Sequence, residues 1–401
     1  MTELRRAAIV SPLRTAVGKF GGGLSTVTAG NLGAMVLKAL AERTKLDVER
    51  VDDVIFAQGY ANGEAPCVAR YSLLAADWPT EIPGYQLDRR CGSGLQSVID
   101  AAMMVQTGAA DVVVAGGVES MSQAEYYTTD MRNGARAGSV VMHDRLSRGR
   151  VMSQPIERFG VITGMIETAE NLARDYQIGR EACDEYAARS HQRATAAWND
   201  GKFDDELVPV SVKQKKGDPV VFARDEGVRA DATTESLAKL KAIEGGVVTA
   251  GNASQQNDAA SACLVVAEDK LAELGLEPMA WFTGWAAAGV DPSRMGIGPV
   301  PAVKKLFARL GLGWDDMDLV ELNEAFAPQV LAVLQGWGWN DPDKLNVNGG
   351  GISLGHPIGA TGGRILANLL HEMQRRDARY GLETMCIGGG QGLAAVFERA
   401  A

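Results

Sequence analysis

The sequence predicts an α/β protein built from two similar halves, with a further segment inserted into the chain. Short apolar runs typical of buried strands alternate with segments of helical periodicity, which favours a largely parallel sheet covered by helices on both faces. Two glycine-framed segments, 87–98 and 346–364, each precede a helical pattern. Residues 122–250 lose the alternation, and we interpret them as the insertion.

Length and composition restrict the class of protein. With 401 residues the chain is too long for one ordinary core, so we expect two or three domain-sized units. Apolar residues make up 46% and charged residues 22%, which is usual for a globular protein. The net charge of −10 argues against nucleic-acid binding. No apolar run approaches ~20 residues, so no membrane span is expected.

Cysteine and histidine usage argues against a metal centre. The five cysteines form no Cys-x-x-Cys pair and the chain has only four histidines, so no metal is expected. The N-terminal apolar run is too short for a signal peptide. An odd cysteine count without a secretory signal indicates a reducing compartment, and we expect a cytoplasmic protein.

The elements of the first part follow from its periodicity. In order, we predict a strand at 7–11, a loop around 14–23, a helix at 29–43, a strand at 51–57, a helix at 65–76, a helix from just after Cys91 to Gly108, and a strand from Asp111 into a glycine turn. The insertion contains a clear helix at 181–197, and an apolar helix at 259–267 returns the chain to the core.

The last third repeats this order. We predict a strand at 279–284, a helix at 301–310, a strand ending before Asn323, the glycine segment with His356, a helix at 365–373, and a strand around 384–387 that runs into a glycine turn. The repetition indicates an internal duplication. A pseudo-two-fold axis between the halves would bring the segments of Cys91 and His356 together.

Cys91 and His356 are the first candidates for chemistry. Cys91 precedes Gly-Ser-Gly at a helix start, where the helix dipole would lower the pKa of a thiol and favour a nucleophile; the alternative is a small buried hydrophobe. His356 lies among seven glycines and a proline in 346–364 and is a candidate general base; the alternative is a loop-stabilising histidine. The remaining histidines are expected to be solvated: His143, His191 and His371.

Cys386 and Asn323 complete the set. Cys386 ends an apolar strand before a glycine turn, so its thiol could face a pocket or lie in the core. Asn323 follows a strand at the end where α/β proteins place ligands, although an ordinary turn is as consistent with its position. Two cysteines, a histidine and an asparagine in glycine-framed segments suggest acyl transfer through a thioester, but a Cys–His pair also occurs in proteases. Core positions are expected for the other cysteines: Cys67, Cys183 and Cys263.

At these residues the chain resembles the thiolases, the acyl-CoA acetyltransferases, essentially from end to end. The matching segments are Cys91-Gly-Ser-Gly, Gly117-Val-Glu-Ser-Met-Ser, Asn323-Glu-Ala-Phe-Ala, Gly355-His-Pro-Ile-Gly-Ala and Cys386-Ile-Gly-Gly-Gly. The resemblance implies two similar α/β halves in a five-layered αβαβα core with an inserted loop domain. We therefore expect an N-terminal half of residues 1–121 plus 251–272, a CoA-binding loop domain of residues 122–250, and a C-terminal half of residues 273–401.

The resemblance also implies a role for each reacting residue. Cys91 would attack the thioester or 3-ketoacyl carbonyl and become acylated, and His356 would take its proton. Cys386 would move the proton at the α-carbon of acetyl-CoA. Asn323 would hold a water that, with His356, forms an oxyanion hole for the enolate, while the backbone N–H groups of Cys91 and Gly388 would form a second hole. The glycines around His356 would leave room for the pantetheine thioester.

The same resemblance implies the substrate contacts and partners. The expected CoA contacts are Arg229, Ser236 and Ser254, and the expected acyl-pocket residues are Met165, Met295 and Phe326. Coenzyme A is expected as a substrate, with no tightly bound cofactor. A homodimer or a homotetramer, made as a dimer of dimers, is expected, with no nucleic-acid or membrane partner.

The chain departs from the family pattern at the acyl pocket. Short-chain relatives read His-Met-Gly where this chain has Gly164-Met-Ile-Glu, and Gln255 and Gln391 replace a glycine and a frequent methionine. These changes bear on which acyl group is preferred. They leave open whether the thiolase is degradative or biosynthetic.

Two alternatives are a ketoacyl-synthase-like condensing enzyme and a catalytically silent acyl-CoA-binding paralogue. Ketoacyl synthases lack a second catalytic cysteine, so Cys386 argues against the first. A silent copy would have no reason to keep Cys91, Asn323, His356 and Cys386 together.

Overall fold

The computed structural model describes residues 4–243 and 245–400, so the outer ends of the segments predicted at 1–121 and 273–401 lie outside the described residues. The strands are β1 (Ala7–Thr15), β2 (Gly18–Lys19), β3 (Asp53–Ala57), β4 (Gly84–Leu87), β5 (Val112–Ser120), β6 (Tyr126–Tyr127), β7 (His143–Asp144), β8 (Leu207–Val208), β9 (Val210–Val212), β10 (Val220–Phe222), β11 (Asn257–Ala267), β12 (Ala280–Gly289), β13 (Leu319–Leu322), β14 (Tyr380–Ile387) and β15 (Gln391–Arg399).

The helices surround and separate these strands. They are α1 (Ala29–Thr44), α2 (Val68–Ala75), α3 (Ser93–Thr107), α4 (Arg145–Val151), α5 (Ile156–Phe159), α6 (Met165–Asp175), α7 (Arg180–Asn199), α8 (Thr234–Ala238), α9 (Leu271–Leu274), α10 (Pro299–Leu310), α11 (Ala327–Trp337), α12 (Gly351–Leu354) and α13 (Ile358–Arg376). Within the described part of the chain, none of these helices combines the length and the apolar character needed to cross a membrane.

The two halves have the same strand topology, which confirms the predicted duplication. The first half has the strand order β4-β3-β5-β11-β1, and the second has β13-β14-β15-β12. A bridge from Leu345 to Val320 occupies the place outside β13 that β4 occupies outside β3. The first strands of the two halves, β1 and β12, pair antiparallel where Ile9 meets Ala280.

Three apolar cores separate the layers and confirm the αβαβα order. The strands of the first half are called the first sheet and those of the second half the second sheet, although β1 and β12 join them edge to edge. One core joins α1 and α2 to the outer face of the first sheet. A second joins α3 and α13 to strands of both halves, so these two helices form the central layer. A third joins α10 and α11 to the outer face of the second sheet.

The sheet is mixed, so the prediction of a largely parallel sheet was wrong. The pairs β3–β4, β3–β5 and β13–β14 are parallel, but β11 pairs antiparallel with both β1 and β5. In the second half β15 is likewise antiparallel to β12 and β14. A tight turn between β14 and β15 replaces the crossover helix that a parallel pair would need.

The segment predicted as a helix at 259–267 is strand β11, buried at every position. It lies between β1 and β5, with helices on both sides of the sheet. A strand covered on both faces has no alternation of apolar and polar residues, and this one is rich in alanine, which is typical of helices. Periodicity therefore could not separate the two structures.

The glycine turn predicted after Asp111 is also wrong, because β5 continues through Gly116 and Gly117 to Ser120. A Cβ atom at Gly116 would lie 2.0 Å from the carbonyl oxygen of Ser261 on β11. At Gly117 it would lie 2.0 Å from the carbonyl oxygen of Gly359 at the start of α13. These glycines permit close packing rather than a turn. Strand β1 similarly extends through Arg14 and Thr15, which were predicted as loop.

The glycine segment 346–364 is only partly a loop, because it includes α12 and the first turns of α13. Gly355, with φ of 106°, supplies a backbone conformation that side chains disfavour, directly before His356. Gly362 lies within α13, where a Cβ would be 2.0 Å from the backbone nitrogen of Leu95 on α3. Gly362 therefore lets the central helices α3 and α13 come into contact. The prediction that the glycines around His356 leave room for the pantetheine thioester does not apply to this one.

Candidate active site

Cys91 lies in a 3-10 turn, Arg90–Gly92, immediately before α3, as predicted. This turn contacts β14 and α13, which belong to the other half. Burial raises the pKa of the Cys91 thiol, whereas the backbone N–H of Gly388 and the charge of Arg90 act in the opposite direction. The predicted lowering of this pKa by the helix start is therefore wrong, because desolvation outweighs it.

Cys386 is fully buried near the end of β14. Burial raises the pKa of its thiol well above the usual range, and the neighbouring Cys91, when it is a thiolate, raises it further. The chain then turns through Gly388, Gly389 and Gly390, and the last two have positive φ values of 85° and 86°. This turn brings the N–H of Gly388 to Cys91, so residues from both halves meet at the two thiols.

The residues predicted for the acyl pocket gather around Cys386. Met295 and Phe326 are buried in one apolar cluster with Cys386, and Met165 packs against that cluster. A Cβ at Gly388 would lie 3.6 Å from Sδ of Met165, so this methionine covers the glycine turn.

Ile166, one of the departures from the family pattern, packs against the same cluster in the first turn of α6. Gln255, another departure, has its amide nitrogen 3.5 Å from the carbonyl oxygen of Gly227. The altered segment Gly164–Glu167 thus contributes apolar surface beside Cys386.

The His356 ring is buried, with 6% of the residue exposed. Its Nδ1 lies 2.7 Å from Oγ1 of Thr361. The side-chain nitrogen of Asn323 lies 3.5 Å from each ring nitrogen, at the limit of hydrogen bonding. Burial, together with the positive charge of Arg364, lowers the pKa of His356 to about 3. The ring is therefore neutral at physiological pH.

Residues of the first half hold the segment that carries His356. The side-chain oxygen of Asn257 on β11 accepts the N–H of His356 at 2.8 Å. The buried Glu119 carboxylate on β5 accepts the N–H of Gly359 at 2.9 Å. It also accepts the N–H groups of Gly59 at 2.9 Å and Tyr60 at 3.2 Å. One carboxylate therefore ties a loop of the first sheet to the start of α13.

Glu324 fixes the turn that carries Asn323. Its carboxylate accepts hydrogen bonds from Tyr186 at 2.9 Å and Ser190 at 2.7 Å, both on α7. It also accepts from the side chain of Asn346 at 3.0 Å and the backbone of Ile352 at 3.1 Å. Helix α7, the Asn323 turn and the glycine segment are thus joined at one buried carboxylate.

The predicted CoA contacts lie in the inserted region and beside the Asn323 turn. Ser254 is half-buried, and its N–H donates to the carbonyl of Ala325 at 2.9 Å. Arg229 is exposed, and its backbone N–H donates to Nδ1 of His191 at 3.3 Å. The hydroxyl of Ser236 caps its own helix, α8, by accepting from the N–H of Thr233 at 3.0 Å. Among the described residues, Arg229 and Ser236 make no hydrogen bond to Cys91, Asn323, His356 or Cys386.

The prediction of solvated histidines was wrong for His191, which is buried on α7. Burial and the charge of Arg229 lower its pKa to about 4, so its neutral ring acts as a hydrogen-bond acceptor. His143 and His371 are half-buried. Across the described residues, no three metal-ligating side chains cluster as a metal site would require.

Four supporting residues were not singled out from the sequence: Glu119, Asn257, Glu324 and Thr361. Two of them stand beside residues that were, since Glu324 follows Asn323 and Thr361 lies five residues after His356. A polar side chain within about five residues of a candidate residue is therefore a signal that the sequence offers. Asn257 and Glu119 offer no such signal, because they reach His356 and Gly359 only through the fold.

The arrangement suits acyl transfer. It provides two buried thiols, a neutral imidazole, and backbone N–H groups directed at one of the thiols. A thiol can form a thioester, an imidazole can accept its proton, and fixed N–H donors can stabilise an oxyanion.

Comparisons with known proteins agree with this chemistry. Residues 7–269 match the family model of the thiolase N-terminal domain, and residues 276–399 match that of the thiolase C-terminal domain. The chain is 47% identical to an acetyl-CoA acetyltransferase of Chromobacterium violaceum over 395 residues, covering 98% of this chain and 99% of the relative.

Two crystal structures resemble the whole chain. That of the Bacillus anthracis acetyl-CoA acetyltransferase has a TM-score of 0.95 with 41% identity, and each chain is covered completely at 100%. That of human mitochondrial 3-ketoacyl-CoA thiolase has a TM-score of 0.93 with 41% identity, over 99% of each chain.

Proposed function

Because this chain belongs to the thiolase family, we propose that it cleaves 3-ketoacyl-CoA with CoA to acetyl-CoA and a shortened acyl-CoA, and catalyses the reverse Claisen condensation, through an acyl group on Cys91. It is an acyltransferase with acyl-CoA and CoA as substrates. The observation that carries the proposal is the meeting of Cys91, from the first half, with Cys386 and the N–H of Gly388, from the second.

In the first step, Cys91 attacks the carbonyl carbon of the substrate and His356 takes the thiol proton. The resting pair is a thiol and a neutral imidazole, because burial raises the pKa of Cys91 and lowers that of His356. The proton therefore moves as the carbon–sulfur bond forms. The N–H groups of Cys91 and Gly388 stabilise the tetrahedral oxyanion, and each such donor contributes about 3–4 kcal/mol in related chemistry.

In the second step, Cys386 moves the proton at the α-carbon of acetyl-CoA. During cleavage the bond between the α- and β-carbons breaks and Cys386 protonates the departing acetyl-CoA enolate. The sulfur of CoA then takes the acyl group from Cys91, the CoA thiol proton passes to Cys386, and His356 returns its proton to Cys91. Condensation runs through the same steps in reverse, with Cys386 removing the α-proton. The enolate oxygen needs its own donors, which we assign to His356 and to a water held by Asn323. The buried Oδ1 of Asn323 has no hydrogen-bond partner among the described residues, which supports a bound water because buried polar atoms are normally paired.

The remaining substrate contacts are proposed from the family pattern. Arg229, Ser236 and Ser254 would contact CoA, which is a substrate, and no tightly bound cofactor is proposed. Acyl-pocket surface would come from Met165, Met295 and Phe326 around Cys386. Ile166 adds branched apolar surface to that cluster, so we propose that acetoacetyl-CoA is not the preferred substrate. We also propose the domain boundaries that the sequence predicts, which lie between residues 121 and 122, 250 and 251, and 272 and 273.

We propose that copies of the chain associate into a dimer or a tetramer. Strand β4 is an edge strand of the sheet, so its unpaired backbone groups are open to a second copy. Its Tyr85 side chain is exposed. The hairpin arm, residues 126–144, is held by β6 and β7 and exposes apolar side chains at Tyr126, Met131, Val141 and Met142.

A cytoplasmic location is proposed from the five free cysteines. A role in fatty acid metabolism, including β-oxidation, is proposed from the reaction class.

A thiolysis assay over a series of 3-ketoacyl-CoA chain lengths, with branched and ring-bearing members, tests the function and the substrate together. We expect CoA-dependent cleavage, with a longer or branched member preferred over acetoacetyl-CoA. No cleavage of any member would contradict the proposed activity. A preference for acetoacetyl-CoA would contradict only the proposed effect of Ile166 on substrate choice.

A further inference from the structure

Among the described residues, Thr361 makes the shortest hydrogen bond to the His356 ring. Its Oγ1 lies 2.7 Å from Nδ1, whereas the amide nitrogen of Asn323 is 3.5 Å from both ring nitrogens. Thr361 is fully buried in the first turn of α13. The hydroxyl therefore engages Nδ1, and Nε2 is the ring nitrogen left for chemistry.

The position of Thr361 is fixed by the packing around it. The N–H of Gly359 is bound by Glu119, and Gly362 touches the backbone of Leu95 on α3. The first turn of α13 is therefore anchored on both sides of Thr361. A hydroxyl on a rigid turn can hold an imidazole ring at a defined angle, which a solvent-exposed or mobile partner cannot do.

The direction of the hydrogen bond matters for proton transfer. A neutral imidazole carries one N–H, so a partner that accepts Nδ1–H leaves the lone pair on Nε2. When Nε2 takes the Cys91 proton, the S–H bond breaks, an N–H bond forms, and the ring becomes an imidazolium with an N–H on both nitrogens. The Thr361 oxygen then accepts the Nδ1–H of the imidazolium. Without the hydroxyl, this N–H would have no hydrogen-bond acceptor at Nδ1 while the ring carries its positive charge.

We propose that Thr361 is a positioning residue that fixes the tautomer and the orientation of His356, so that Nε2 is the nitrogen that exchanges the proton with Cys91. This inference rests on the proposed function, because it specifies how the general base of that reaction is held. Thr361 is assigned no contact with the substrate or with the thiol of Cys91; it acts through His356.

Removing the hydroxyl tests the proposal. Thr361→Val keeps the shape of the side chain, and we expect kcat for thiolysis to fall roughly 10–100-fold with little change in KM, the loss typical of removing the second partner of a functional histidine. Thr361→Ser keeps the hydroxyl and should restore most of kcat. Alkylation of Cys91 by iodoacetamide without CoA should slow in Thr361→Val and recover in Thr361→Ser.

Thr15→Val is the matched control, because Thr15 is also fully buried and its hydroxyl accepts the N–H of Ala260 at 3.0 Å, in a hydrogen bond that does not involve His356. It should lower the melting temperature to a similar degree and leave kcat unchanged. If Thr361→Val does not fold, Thr361→Ala carries the same expectation.

The proposal is overturned if the kcat of Thr361→Val is unchanged, if Thr361→Ser loses as much activity as Thr361→Val, or if Thr15→Val loses as much as either. A wild-type chain without thiolysis activity would instead overturn the proposed function. In that case the alkylation rates of Cys91 still decide the role of Thr361, because they do not require turnover.

Discussion

At the scale of single residues, burial sets the chemistry of the site. It keeps Cys91 and Cys386 as thiols and His356 as a neutral ring, since each charged form is desolvated. A helix start beside Cys91 does not overcome this effect. In the proposed reaction, activation would come from proton transfer during attack and from donors that act on the developing oxyanion, such as the N–H of Gly388.

Cys386→Ser tests the second proton transfer. A serine hydroxyl is a much weaker acid than a thiol, so we expect kcat for thiolysis and condensation to fall about 10²–10⁴-fold, while acylation of Cys91 continues. Rapid-quench kinetics would show a retained burst followed by slow turnover. Cys67→Ser, at a half-buried cysteine that bonds the carbonyl of Gly84, is the control. Condensation at the wild-type rate in Cys386→Ser would remove this residue from the mechanism.

The sequence allowed the four reacting residues to be proposed because they lie in segments that resemble the thiolases. Cys91 and His356 adjoin glycines before a helix, Cys386 precedes a glycine turn, and Asn323 follows a strand. The sequence did not reveal the polar residues behind them. The contact between Glu119 and Gly359 spans 240 positions of the chain, so no local pattern encodes it. The pKa of Cys91 was predicted with the wrong sign because exposure cannot be read from spacing.

At the scale of elements, the central helices α3 and α13 determine the site, since each begins directly after a reacting segment. They touch through glycines. A Cβ at Gly94 would lie 2.8 Å from the carbonyl oxygen of Gly359, and one at Gly362 would lie 2.0 Å from the nitrogen of Leu95. Backbone atoms cannot move aside as side chains can, so this contact fixes the distance between the two helix starts.

Gly362→Ala should therefore destabilise the protein by about 3 kcal/mol, at the upper end of what overpacking usually costs. Activity should fall as well, because α13 can relieve the clash only by moving away from α3. Urea unfolding and thiolysis assays measure both effects. Gly63→Ala, where a Cβ would meet nothing within 4 Å, should be neutral. Wild-type stability and activity in Gly362→Ala would refute the assigned packing role.

Element prediction failed where both faces of an element are buried. Strand β11 was assigned as a helix and Gly116–Gly117 of β5 as a turn, and both lie in the middle of the first sheet. Amphipathic elements such as α7 and α10 were predicted correctly, because one face of each is exposed and the pattern is visible. The duplication could be predicted from the sequence because both halves repeat the same order of strands and helices, even where a single element was assigned wrongly.

At the scale of the whole molecule, buried histidines link stability to pH. The pKa values of His356 and His191 are lowered from 6.5 to about 3 and about 4. Below pH 6.5 the unfolded chain therefore binds protons that the folded chain does not. Their contribution is constant above pH 6.5 and is lost as the pH falls from 6.5 towards 4.

Each of these histidines should contribute a fall of about 1.4 kcal/mol per pH unit in the free energy of unfolding across that range. The buried carboxyls of Glu119 and Glu321, whose pKa values burial raises to about 7 and about 8, contribute in the opposite direction, so the histidine contribution is the difference between wild type and variant. Urea titrations between pH 4.5 and pH 7.5, in ~0.5-unit steps that resolve such a slope, would measure it. His191→Asn, which keeps an acceptor for the N–H of Arg229, should reduce the slope by one proton. His143→Asn, in the hairpin arm, is the control. A slope identical in wild type and His191→Asn would contradict the assignment.

In the whole molecule, we propose, the two halves meet so that Cys91 becomes the acyl carrier. The most direct measurement is peptide mass spectrometry of protein quenched after incubation with acetyl-CoA. We predict one acetyl group, on the peptide that contains Cys91, in the wild type and in Cys386→Ser, and none in Cys91→Ala. An acetyl adduct on another residue, or one that persists in Cys91→Ala, would contradict the assignment of Cys91 as the acyl carrier.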